Sequence, residues 1–270
     1  MQERNQLPDA NQFSIIMAVI LLAYALMPYV QAPGGEIKFS LFVFLINFNL
    51  NFATAITFLT GVIAAIGIQW MIKSSPHKIA RQSTQNWLIP MITAWALGLP
   101  LNTLKVGTEW WVVFAFGGCL LAMVFLAEYI VVDFSDARNS LATMVLTAVS
   151  FALYLVLTIA LRASGSRLYL VLTILVVVIG LISLRTLYLR LNGTLHYGWP
   201  IAIAIIVGQF AIGLHYLHLS PMAYGLLLLG PAYSLTSLAV IIEEGSFHPI
   251  SLSEPLIMLS LLWGFALILG

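Results

Sequence analysis

Asp133 and Asp136 stand three residues apart, the spacing of a carboxylate pair that holds a divalent metal or a pyrophosphate. A metal-dependent lipid-modifying enzyme would need a second acidic cluster facing the first, and Glu243 with Glu244 is the candidate. These four are weak metal candidates, because carboxylates beside a turn are ordinarily solvated. His215 and His218 share a helix face three residues apart and could ligate a metal or a porphyrin. Haem held by two histidines in a bilayer draws them from different helices, so this pair reads as an interface anchor. The serines in the apolar runs have no partnered base, and no catalytic residue is assigned.

Two further groups are polar where the chain is otherwise apolar. Gln209 lies mid-run and should hydrogen-bond a neighbouring helix. With His215, Tyr233 and Ser234 it could instead line a cavity, because the Gly230-Pro231 step frees backbone carbonyls that need partners. Glu128 and Arg185 each lie near a helix end, at similar expected depth and on the same side. A charge at the bilayer centre costs about 2.5–3.5 kcal/mol on insertion scales, so a structural ion pair between them is the economical reading.

The elements that must position these residues follow from composition. Of 270 residues, 61% are hydrophobic and 8% charged, with a mean hydropathy of +1.01. A soluble domain carries about 25% charged residues, so this chain cannot cover a globule in water. Net charge is +1, which leaves no basic stripe for nucleic acid. The lone Cys119 can form no internal disulfide and reads as a small packing residue.

The fold class is all-α: a polytopic transmembrane bundle of about eight or nine helices in a single membrane domain covering 1–270. About 20 apolar residues at 1.5 Å each span a bilayer core. The spans are placed at 13–30, 51–72, 87–101, 109–132, 139–162, 167–190, 199–217, 222–242 and 254–270. The first is read as a retained helix, its apolar run being longer than the roughly 7–15 residues of a signal peptide. The third is short and carries Pro90 and Pro100; the eighth is expected to break near Gly230-Pro231. Trp110 and Trp111 should mark a headgroup level. Residues 39–72 hold no charge, and as one helix would reach about 51 Å, too long for a bilayer. Asn47, Asn49 and Asn51 alternate there with Phe48, Leu50 and Phe52. Period two predicts an extended, interfacial or folded-back piece over 36–49.

Residues 73–86 are the most basic connection and are expected in the cytoplasm, which also places the N-terminus there. Lys and Arg then divide as Arg4, Lys73, Lys78, Arg81, Arg138, Arg185 and Arg190 inside against Lys38, Lys105, Arg162 and Arg167 outside.

Glu128-Tyr129, Ser183-Leu184-Arg185-Thr186-Leu187, Gly208-Gln209, His215-Tyr216 with Pro221, and Leu229-Gly230-Pro231-Ala232-Tyr233 together resemble an uncharacterised bacterial multi-pass membrane family, a domain of unknown function associated with green non-sulfur bacteria. The resemblance covers most of the chain. It implies a bacterial cytoplasmic (inner) membrane and no activity. The expected role is an accessory or assembly subunit of a membrane complex, or a binder of a lipid-like ligand such as a quinone, pigment or acyl chain. Partners would be lipids and other membrane subunits. The alternatives are a small-solute transporter or channel built on Gln209 and Gly230-Pro231, and the metal-dependent lipid enzyme above.

Overall fold

A computed structural model describes residues 8–30, 35–41, 44–50, 52–74, 85–132, 138–165, 167–191, 193–245 and 248–269. The protein is all-α, with nine helices among the described residues. These are α1 (Ala10–Leu26), α2 (Phe52–Lys73), α3 (Leu88–Thr103), α4 (Thr108–Val131), α5 (Asn139–Ala163), α6 (Leu168–Arg190), α7 (Gly198–His215), α8 (Pro221–Glu243) and α9 (Pro249–Leu269). Seven of them are long and apolar enough to cross a membrane; α1 and α3, with 17 and 16 residues, are the shorter two. Among the described residues, two helix starts carry a side-chain cap. The Asp9 side chain accepts from Asn11 N–H at 3.1 Å before α1, and Ser220 accepts from Ala223 N–H at 3.1 Å before α8, whose first residue is Pro221.

The alternating stretch is extended. Strands β1 (Gly35–Leu41) and β2 (Phe44–Leu50) pair antiparallel. The register sets Glu36 opposite Asn49 and Lys38 opposite Asn47, with Ile37 opposite Phe48 between them. From Glu36 to Phe39 polar positions therefore oppose polar ones and apolar oppose apolar, as a two-residue repeat favours in a hairpin, while Ser40 opposite Leu45 departs from it.

The chain divides into two compact units, Met1–Ala142 and Thr143–Gly270. In the first, Ile16, Ile20 and Tyr24 of α1 pack with Ala64, Ile68 and Met71 of α2 and with Leu121 and Phe125 of α4. A polar knot closes this core. The Tyr24 hydroxyl donates to the Ala94 carbonyl of α3 and accepts from Thr60 Oγ of α2 at 2.8 Å, so three helices meet at one phenol. Adjacent tryptophans at the start of α4 have different fates. Trp110 is buried and donates its indole N–H to the Leu101 carbonyl at 3.1 Å, whereas Trp111 is exposed. Trp110 thus joins α4 to the end of α3, and only Trp111 keeps an outward face suited to a headgroup level. Cys119 is exposed on α4, not packed inside.

In the second unit α8 is the central helix: 72% of its span is buried, against 11% for α9. Tyr224, Leu228, Ala232 and Ala239 of α8 meet Ile203, Val207 and Ala211 of α7 and Leu175 and Ile179 of α6. Helix α5 joins through Phe151, whose ring lies edge-on to Tyr233 at 5.3 Å.

Candidate functional site

Buried polar side chains of the second unit lie on α5, α6 and α8, and those of α5 form a continuous row. Thr147, Ser150, Tyr154 and Thr158 recur at intervals of three and four, so they form one stripe, and all four are buried. Ser150 and Thr158 return their hydroxyls to the Leu146 and Tyr154 carbonyls, each at 2.7 Å, the bond a helix offers its own serines and threonines when water is absent. Four residues beyond Thr158 comes Arg162. Its Nη1 donates to the His215 carbonyl at 3.2 Å and its Nη2 to the Leu217 carbonyl at 3.1 Å. The His215 carbonyl ends α7, where no further helical N–H reaches it, and the Leu217 carbonyl, two residues past the helix, also accepts from Leu219 N–H at 2.9 Å. The same Nη1 stands 3.1 Å from His215 Nδ1. A guanidinium only donates, so this ring nitrogen accepts and the imidazole proton belongs on Nε2. The guanidinium carbon lies 5.1 Å from the centroid of the Tyr224 ring. Arg162 thus fastens α5 to the end of α7 and the start of α8. The stripe and its terminal arginine escaped the sequence reading, although the three-and-four spacing was a visible signal.

The Gly230-Pro231 step opens no gap in the backbone, and α8 stays helical through it. Proline has no N–H, so the carbonyl four residues earlier, Leu227, loses its helical donor. Trp263 of α9 supplies one: its indole Nε1 donates to the Leu227 carbonyl at 3.2 Å. Gly230 makes the approach possible, since a Cβ there would come within 3.0 Å of the indole. The next two polar residues, Tyr233 and Ser234, are tied to the same helix. Tyr233 donates its hydroxyl to Glu254 at 2.8 Å, and the buried Ser234 donates to the Pro255 carbonyl at 2.8 Å. Tyr233 and Ser234 are therefore brought together with α9.

His215 is held by Arg162, and His218 is exposed beyond the end of α7. Gln209 is exposed on the opposite face of α7 from its buried residues, with no hydrogen bond among the described residues. The four candidate cavity residues are thus spread over separate settings. Glu243 accepts from Trp199 Nε1 at 2.6 Å, and His196 Nε2 lies 3.4 Å from its other oxygen. Glu244 is exposed at the end of α8. Asp133 and Asp136 lie outside the described residues, and among those described no group of three acidic, histidine or cysteine side chains could hold a metal. Glu128 is fully buried on α4 in the first unit. Arg185 is buried on α6 in the second, its guanidinium carbon 5.5 Å from the centroid of the Tyr188 ring.

The segments whose pattern carried the family resemblance all fall within residues 32–269, the stretch matched by a family described as a protein of unknown function, DUF5656. The chain belongs to DUF5656. No curated protein and no solved structure matches it. In this DUF5656 protein, several polar side chains of α5, α8 and α9 bind one helix to the next. Arg162 closes a helix end, Trp263 mends a proline, and Tyr233 and Ser234 hold α9. Such groups give an apolar bundle its register, because lipid provides no hydrophobic drive for one helix to choose another.

Proposed function

We propose that this multi-pass membrane protein is a non-catalytic accessory or assembly subunit of a membrane complex, working in a bacterial cytoplasmic membrane with its N-terminus inside. The observation that supports this reading is that four polar side chains of the second unit join its helices. Arg162, Trp263, Tyr233 and Ser234 all serve helix–helix bonds, while most residues of α9 away from α8 stay exposed. That exposed face of α9 is open to lipid or to another subunit. The basic connection at 73–86 supports the orientation. A quinone, pigment or acyl chain on the same apolar surface is the related ligand-binding form of this reading.

The test is gentle solubilisation followed by mass spectrometry of every protein and lipid that accompanies the chain. A stoichiometric membrane protein or a retained lipid-like molecule is the expected result. A clean, ligand-free chain would overturn the proposal. Solute flux in proteoliposomes that disappears on Gln209→Leu would replace it with a transporter.

A further inference from the structure

We infer that α7 is a self-association helix and that two copies of this chain pair through Gln209. On the outward face of α7, Ala202, Ile206, Gln209, Gly213 and Tyr216 are all exposed. They recur at alternating intervals of four and three, the spacing by which two helices keep one seam in contact along a left-handed pair. The buried residues of the helix, Ile203, Ala204, Val207, Gly208 and Ala211, occupy the other side, so the seam is free while the helix is anchored.

Gln209 points to what covers this seam. It is the twelfth of the 18 residues of an apolar span, and it makes no hydrogen bond among the described residues. In hydrocarbon its amide needs both a donor and an acceptor, because lipid tails supply neither. A second Gln209 related by a two-fold axis supplies both: each carbonyl oxygen accepts from the other's NH2. The neighbours suit close approach. Nothing lies within 4 Å of where a Cβ on Gly213 would stand, and Ala202 is small. A single amide in an otherwise apolar seam also sets the register, since any slip leaves two amides unbonded. This pairing is independent of the accessory role: a pure homodimer free of other components would uphold it and overturn that role.

The experiment uses the full chain in native membranes and in lipid nanodiscs, in a Cys119→Ser background. Gly213→Cys should give a disulfide-linked homodimer under mild oxidation, and Leu267→Cys, on the exposed face of α9, should not. Adding Gln209→Leu should weaken self-association by roughly tenfold on dilution into lipid, the scale of one interhelical hydrogen-bonded pair, while Gln209→Asn should retain most of it. A monomer at every dilution would refute the inference. So would an unchanged dimer in Gln209→Leu, or a cross-link from Gly213→Cys to a different protein in place of a second copy.

Discussion

Trp263 Nε1 donates to the Leu227 carbonyl, the acceptor that Pro231 leaves without a helical partner. The two residues are 36 apart in sequence and on different helices, yet the indole does the work of a missing backbone N–H. An unpaired carbonyl away from water costs about 1–3 kcal/mol, which explains why a proline survives inside the most buried helix of its unit.

This relationship predicts a specific coupling. Trp263→Phe keeps most of the ring but loses the donor, and should destabilise the second unit by about 1–3 kcal/mol in reversible unfolding from lipid–detergent micelles. Pro231→Ala restores an N–H at the right place. In that background the same Trp263→Phe change should cost roughly 1 kcal/mol less. Equal costs in both backgrounds would mean that the indole bond does not compensate the proline.

Arg162 predicts a local effect at the end of α7. Arg162→Ala should release the His215 carbonyl, leave Leu217 with its bond to Leu219 N–H alone, and speed amide exchange over the last turn of α7 and the start of α8. Arg162→Lys should recover only part of the protection. An ammonium is a point donor and cannot span both carbonyls and the Nδ1 of His215 as the planar guanidinium does. Unchanged exchange in Arg162→Ala would remove the clamp from the account.

Tyr24 gathers α1, α2 and α3 of the first unit through one hydroxyl. Tyr24→Phe leaves the ring in place and strips the donor from Ala94 and the acceptor from Thr60. A loss of about 1–3 kcal/mol is expected in the first unit. Chemical-denaturant or SDS titration of the purified chain measures it, and a wild-type midpoint would show the knot to be dispensable.

Glu128 and Arg185 are ionisable groups placed in apolar interiors, and the sequence expects them to neutralise each other. Removing one partner of a buried pair costs about 3–5 kcal/mol, whereas removing both is often tolerated. Arg185→Leu alone should therefore lower the folded yield in membranes, and Glu128→Leu with Arg185→Leu should recover it. A double variant no better than the single one would show that the two are not coupled.

Divalent cations should leave thermal stability and co-purifying lipid unchanged in the wild-type chain. A cation-dependent shift that vanishes in Asp133→Asn would instead support the lipid-enzyme alternative built on Asp133, Asp136, Glu243 and Glu244.

The sequence alone determined the solvent of this protein and most of its helices. Both are local properties: hydropathy along about 20 residues decides whether a helix belongs in lipid, and period-two alternation marked residues 36–49 as extended, though the hairpin register came only from the structure. Which face of each helix turns inward was decided only by the tertiary structure. In water a polar face marks the outside, but lipid tails are as apolar as leucine, so an apolar helix bears no stripe distinguishing core from surroundings. Hence adjacent Trp110 and Trp111 look alike in the chain and part ways in the fold. Gln209 looks inward by chemistry and faces out. Pro231 looks like a break until Trp263, brought in from the next helix, supplies the donor it lacks.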